Sequence, residues 1–549
     1  MRELGRQARP TVARQVGRRR EAGQSRQLGL SLKPLSLLLL LALGMGCGRT
    51  PPPAAAVVVA WEAFPLSFDP RLGQDQASQR LLGLTHQGLL KRNAALEFEA
   101  DGCLDWRWEE PYRVLSFDFP DAPAAAVLGD RWTWFGPGRP LRAGDAADSI
   151  EALRDPSLVS PKSGPFKAEI ESLSIERAPG LERLRIRLRA SNPGFPSNLG
   201  RAVLGIAMEG SRGPRLPGTG PYRIVEASPE QRILLEPQPG HPDLAAHSGR
   251  AMALDLRLLP DATTRLLALR HGCVQASLNN IPADLLGGLG AARSRHFPGA
   301  NLEYIAFHCD HPILRDPRVR KALSLALDRT AMVKGLMGGL AREAWGFYPP
   351  ELPQGSDARA SLALPEGRED RLRLAEALLD AAGRRRDPAG RRFSLKLSST
   401  PEVAARMKAL VLQSQWAAVG VGVEIVTREF GSLLTDVMAG RFEVMSLRWV
   451  GVSDPEMLYE TFHSSKVPPA GFNRGRFRDP EVDRLLEAAR AAGRPPDRLR
   501  LLREVQVRLV DLAPYAFLWW PDHVAALAPG LEVDLNAAGD FRGIWRRDP

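Results

Sequence analysis

The segment 304–329, YIAFHCDHPILRDPRVRKALSLALDR, constrains the fold more than any other part of this 549-residue chain. Tyr304, Ile305, Ala306 and Phe307 have strand composition, and Pro312 ends any such strand. Asp316 is placed to cap a helix, and Pro317 fits its first turn, where a missing N–H costs nothing. Val319, Ala322, Leu323, Ala326 and Leu327 then recur at helical spacing and define one apolar face. A strand that turns into a half-buried helix is an α/β unit. The alternation returns further on: Leu372, Ala375, Leu378, Leu379 and Ala382 form a helical face stopped by Gly383. Strands at 393–397, 421–426 and 442–449 then alternate with helices at 402–418 and 433–439. This rhythm predicts mixed sheets with covering helices.

A chain this long exceeds one hydrophobic core and divides into two or three lobes. Its net charge of +11 suggests nucleic acid only until the charge is located. Nine Lys/Arg and two acids lie in residues 1–47, which leaves a nearly balanced body with no footprint for phosphate backbones. The basic start precedes a short apolar run at 35–45, too short to span a bilayer, and then Gly44-Met45-Gly46-Cys47. That order is a secretory signal, and its end resembles a bacterial lipoprotein signal in which Cys47 is lipidated; an ordinary signal peptide with an incidental cysteine is the alternative. Residues 48–56 read as a Pro- and Ala-rich tether. Cys103, Cys273 and Cys309 are too widely spaced for a disulfide framework or a CxxC metal pair, though one bridge is open to them.

Catalytic chemistry is not signalled. HExxH, GxSxG and P-loop patterns are all missing from the sequence. GTGPYRIVE at 218–226 is a turn entering a strand, with no Gly-Lys-Ser/Thr after it to cradle a phosphate. His308-Cys309-Asp310-His311 puts four potential ligands in a row, but side chains alternate faces along a strand, so they do not converge on a metal. No cofactor is expected.

The ordered set of 304–329, GTGPY, LAEALLDAAG, VGVEI, WVGVSDPEMLYETF (449–462) and FRDPEVDRLLEAAR (477–490) resembles the extracytoplasmic solute-binding proteins of the oligopeptide/dipeptide type, family 5, which serve ABC importers. The resemblance implies a two-lobed α/β periplasmic-binding-protein fold with two hinge crossings, near 304–307 and 513–518. It implies a first lobe from 57–303 containing a small extra domain at about 92–210, a second lobe from 304–512, and a return to the first lobe over 513–549. A single copy would capture a solute, a peptide first of all, and deliver it to a membrane permease and its ATPase on the periplasmic side of a bacterial membrane or at the cell surface, without chemistry. A sensing receptor without transport, or an oligosaccharide or metal-chelate ligand, is the alternative.

By the same resemblance Glu62, Phe64 and Leu66 lie against the ligand from the first lobe, and Trp449, Asp454 and Asn473 from the second. From the residues alone, Trp449 serves as a flat apolar wall or as core, and Asp454 as an acceptor for a cation or as a helix cap. Peptide-binding relatives carry Asp three residues beyond this tryptophan, to pair with an ammonium. Here the position is Val452.

Overall fold

In the computed structural model, residues 56–547 are described, apart from positions 74, 94–97, 111, 130–131, 133–134, 136–138, 202, 212, 214, 229–230, 248–249, 279–280, 282, 290–291, 453 and 538. Cys47, the signal and the tether up to residue 55 lie outside the described residues; Ala56, taken as the end of the tether, already belongs to the first strand, because it pairs with Ala253.

Two sheets organise the chain. The first has seven strands in the order Arg293–Phe297, His523–Leu527, Ala276–Leu278, Ala56–Trp61, Ala253–Leu258, Arg232–Pro237 and Tyr222–Ser228. Its central strand, AVVVAW, runs parallel to both neighbours and is buried on both faces, which explains its unbroken apolar sequence. Val57, Val59 and Trp61 enter one core, Val58 and Ala60 the other. The second sheet has six strands: Ala341–Glu343, Tyr515–Pro521, Leu302–Phe307, Val444–Trp449, Phe393–Ser399 and Val421–Thr427. Its parallel members carry the crossover helices Val403–Ala417 and Phe430–Met438. A four-stranded antiparallel sheet, Asp105–Glu110, Val114–Pro120, Leu181–Leu188 and Ile170–Ala178, has its own core around Phe117, Phe119, Phe166 and Ile186.

The capping chemistry forms as the sequence dictates. Asp316 accepts the Arg318 amide at 2.9 Å and Pro317 opens the helix Pro317–Leu325. Asp479 does the same for Val482 at 2.9 Å, opening Pro480–Ala491. The glycines of GTGPY answer a packing demand: a Cβ on Gly218 would lie 2.3 Å from the Thr85 carbonyl oxygen, and one on Gly220 2.4 Å from that of Leu84. The turn is wedged against the end of the helix Gln76–Thr85, with the buried His86 ring bonded to the Leu216 carbonyl.

The crossings differ from the sequence reading. Leu302–Phe307 and Tyr515–Pro521 are not linkers: they pair with each other inside the second sheet. The chain changes sheet just outside them, over 298–301 and at Asp522. The return to the first sheet therefore begins at His523, not at 513. Buried strands are apolar throughout, so composition could not separate the core of a sheet from its exit. The two passages pack tightly. A Cβ on Gly299 would sit 2.2 Å from the Pro521 carbonyl oxygen, so only glycine fits. Ala300, fully buried, donates its amide to Ala537 at 2.7 Å and accepts from Val452 at 2.7 Å.

Candidate functional site

The register places Trp449 opposite Leu302, the first residue after the crossing, so the indole stands at the end of the second sheet where the chain arrives from the first. Tyr304 lies diagonally across on the same face, stacked on Trp449 at 6.2 Å and 16°. Tyr515 stacks on Tyr304 from the other side at 4.5 Å and 14°. Burial raises the pKa of both phenols, Tyr515 the more, so each stays a neutral hydroxyl. Three aligned rings thus form a rigid apolar platform, with Trp449 half-buried at its open end.

Arg474 covers that end. Its guanidinium carbon is 4.6 Å from the Trp449 ring centroid and 5.8 Å from that of Phe472, and Nη1 donates to the Tyr304 hydroxyl at 3.3 Å. Sequence reasoning missed this residue and chose its neighbour. Asn473 is buried, and its amide is spent on the backbone: Nδ2 donates to the carbonyls of His463 (3.1 Å) and Phe477 (2.7 Å), while Oδ1 accepts from Phe477 at 2.9 Å. Asn473 therefore holds the turn that carries Phe472 and Arg474 and has no group left for a ligand. The only signal for Arg474 in the sequence was its place between Phe472 and Gly475.

The loop after Trp449 is tied to the crossing. Gly451 donates to the Asn301 side chain at 2.8 Å, and Val452 is fully buried. At the position where a carboxylate was sought, an apolar side chain is packed into the core of the second lobe. Asp454 turns its carboxylate onto the Glu456 amide at 2.9 Å, and its carbonyl accepts from the Tyr348 hydroxyl at 2.5 Å. It also lies in electrostatic range of Arg92: burial lowers that guanidinium's pKa, and Asp454 counters the effect. Glu456 lies 2.7 Å from Arg490 and 3.5 Å from Arg498, yet burial pushes its carboxyl up to about 7. A Cβ on Gly194, in the loop after the small sheet, would meet the Glu456 Cβ at 2.8 Å.

The first-lobe candidates divide. Glu62 is paired with Arg80 at 3.0 Å, and Phe64 packs edge-on to Phe68 at 6.0 Å. Leu66 is 86% exposed. On the opposite face of the second sheet, buried Glu303 binds Lys408 and Arg448, each at 2.5 Å. Burial opposes its ionisation, but the two cations overcome that and hold it at about 2. In the 308–311 cluster, His308 meets the Phe442 ring, Asp310 pairs with Arg478, and His311 accepts the Ile313 amide. Among the described residues no group of three His, Cys, Asp or Glu is placed to hold a metal. A shallow concavity between the helices Pro480–Ala491 and Pro495–Leu512, lined by Leu485, Arg503, Val507 and Arg508, shares no residue with the aromatic platform.

The comparisons agree with this architecture. Residues 134–468 match the model of the bacterial extracellular solute-binding proteins, family 5 Middle. The chain is 30% identical over 315 residues to a probable di/tripeptide-binding protein 5 of Pseudomonas aeruginosa, covering 55% of this chain and 57% of that one. It is 27% identical over 306 residues to the dipeptide-binding protein of Escherichia coli, covering 54% of each. The chain thus spans little more than half the length of these two relatives. Among solved structures, an unliganded open form of the periplasmic murein tripeptide binding protein MppA superposes with a TM-score of 0.73 at 20% identity, over 90% of this chain and 99% of that one. The oligopeptide-binding protein AppA of Bacillus subtilis, bound to a nonapeptide, gives 0.67 at 19%, over 90% and 99%. Two α/β lobes joined by paired crossings, with a small extra sheet on the first, are the shared fold, and this chain belongs to the bacterial extracellular solute-binding proteins of family 5.

Proposed function

We propose that this protein captures a peptide-sized solute between its lobes and presents it to the permease and ATPase of an ABC import system. The observation that carries this reading is the Tyr515–Tyr304–Trp449 platform, with Arg474 across its open end, placed where the chain passes between the sheets. Peptide binding by the named relatives supports the solute class. Leu66 from the first lobe, and Val450 (60% exposed) and Phe472 (45% exposed) beside Trp449, supply apolar surface that a ligand would cover. Closure would be driven by contacts that the ligand makes with both lobes at once. Glu62 and Asp454 remain ligand-facing candidates, Asp454 through the carboxylate oxygen that the Glu456 amide does not use. The protein acts without catalysis, as a single copy on the periplasmic side of the membrane, held there by lipid on Cys47.

Native mass spectrometry of the purified protein against peptide libraries tests the solute class: retained peptides, lost on Trp449→Ala, support it, and exclusive retention of non-peptide solutes overturns it. Labelling with radioactive palmitate tests the anchor, which is refuted if Cys47→Ala is still labelled.

A further inference from the structure

We infer that Arg474 anchors a carboxylate of the bound solute, so the site selects its ligand by an acidic group rather than by an ammonium. This rests on the reading of the chain as a solute receptor and adds the chemistry of what it takes.

Several arginines of the second lobe are neutralised, Arg448 by Glu303, Arg478 by Asp310 and Arg508 by Asp479, and buried Arg320 and Arg329, which have no acid, are filled by backbone carbonyls and a serine hydroxyl. Arg474 has no carboxylate partner among the described residues. A guanidinium offers five N–H donors, and here the Tyr304 hydroxyl takes one, at the long distance of 3.3 Å. Its Nε is buried without an acceptor. Stacking on Trp449 fixes its plane, and a planar fork held at a known angle is the arrangement that receives a carboxylate through two parallel bonds.

The surroundings exclude the opposite choice. Glu303 is used by Lys408 and Arg448 on the other face of the sheet, and Val452, three residues beyond Trp449, is packed and apolar, so the position at which a carboxylate was sought offers an ammonium no partner. An ammonium brought beside Arg474 would be repelled by the like charge of the guanidinium. With Phe472 and Val450 exposed alongside, the ligand class is a carboxylate next to an apolar body: an acylated peptide or amino acid, the C-terminus of a short peptide, or an aryl-alkanoate.

The test titrates the full mature protein with four probes: N-acetylated dipeptides with a free carboxylate, the same sequences with a free amine and a C-terminal amide, 4-phenylbutyrate, and 4-phenylbutylamine. Acid-bearing probes should bind at least about tenfold more tightly than their partners, the range of a charge-assisted pair. That preference should collapse in Arg474→Gln and partly return in Arg474→Lys, with both variants melting close to the parent. Equal binding of acids and amides, a preference unchanged in Arg474→Gln, or no carboxylate binding at millimolar concentration overturns the assignment. Phenylbutyrate binding that depends on Arg474, with no peptide retained, removes the peptide reading and leaves the anchor standing. Peptide binding without acid preference does the reverse.

Discussion

Gly299 lies against the Pro521 carbonyl so closely that a single methyl group would come within 2.2 Å of the oxygen, and within 3.2 Å of the His523 imidazole. The two passages between the lobes are therefore in backbone contact. Gly299→Ala should force them apart, lowering stability by roughly 1–3 kcal/mol and changing the interlobe angle. Thermal melting together with small-angle scattering checks this. A variant that melts and scatters like the parent would show that the contact imposes nothing.

Glu303 ties Lys408 to Arg448 at the start of the second sheet. Glu303→Gln leaves a largely buried ammonium without its counter-charge and should cost about 3–5 kcal/mol in urea unfolding at neutral pH. Since the folded carboxyl titrates at about 2, below its ordinary value of 4.5, its contribution is present above 4.5 and fades as pH falls towards 2. Parent and variant should thus converge in acid.

Glu456 works in the other direction. Its carboxyl is raised to about 7, so between 4.5 and 7 the folded protein holds a proton that the unfolded chain has released. Stability must fall as pH rises through that window. Glu456→Gln should flatten this part of the melting profile between pH 5 and 8 and raise the melting temperature at pH 8. A slope as steep in the variant as in the parent would assign the pH dependence elsewhere.

Asn473 serves the site without touching a ligand. Asn473→Ala removes three hydrogen bonds to buried backbone groups and should cost about 2–4 kcal/mol. Because the turn also carries Arg474, solute affinity should fall as well, and it should recover in part when the variant is cooled far below its melting point. Unchanged stability would return Asn473 to the ligand contacts.

Where local chemistry decides, the sequence was readable. The Asp-Pro start at 316 became a capped helix, and the VGVEI run became a parallel strand, because capping and burial leave marks within a few residues. The crossings were misplaced because an apolar strand reads alike at its centre and at its exit. The helix Pro495–Leu512 opens on Pro495 and Pro496, which look like a loop in the sequence yet occupy the first turn, where proline fits. At the site, Trp449 was singled out by the family resemblance, and the structure puts it at the open end of the aromatic stack. Arg474 was not, because an arginine in a loop is ordinarily solvated, and only the fold reveals that it lacks an acid and lies on an indole. Asn473 was singled out as polar and proved to be scaffold, a distinction that depends on where its amide points.

The bonds from Val452 to Ala300 and from Gly451 to Asn301 join the end of the loop after Trp449 to the passage between the lobes. Under the proposed function, recognition and bending would share one mechanical part. A substitution that reshapes the loop for a new solute would then also alter the stiffness of the joint, and specificity and release rate would drift together. The Arg474 turn, folded on the Asn473 side chain and touching Trp449 and Tyr304 but not the 298–301 passage, is where a new ligand would be accommodated with least effect on the joint.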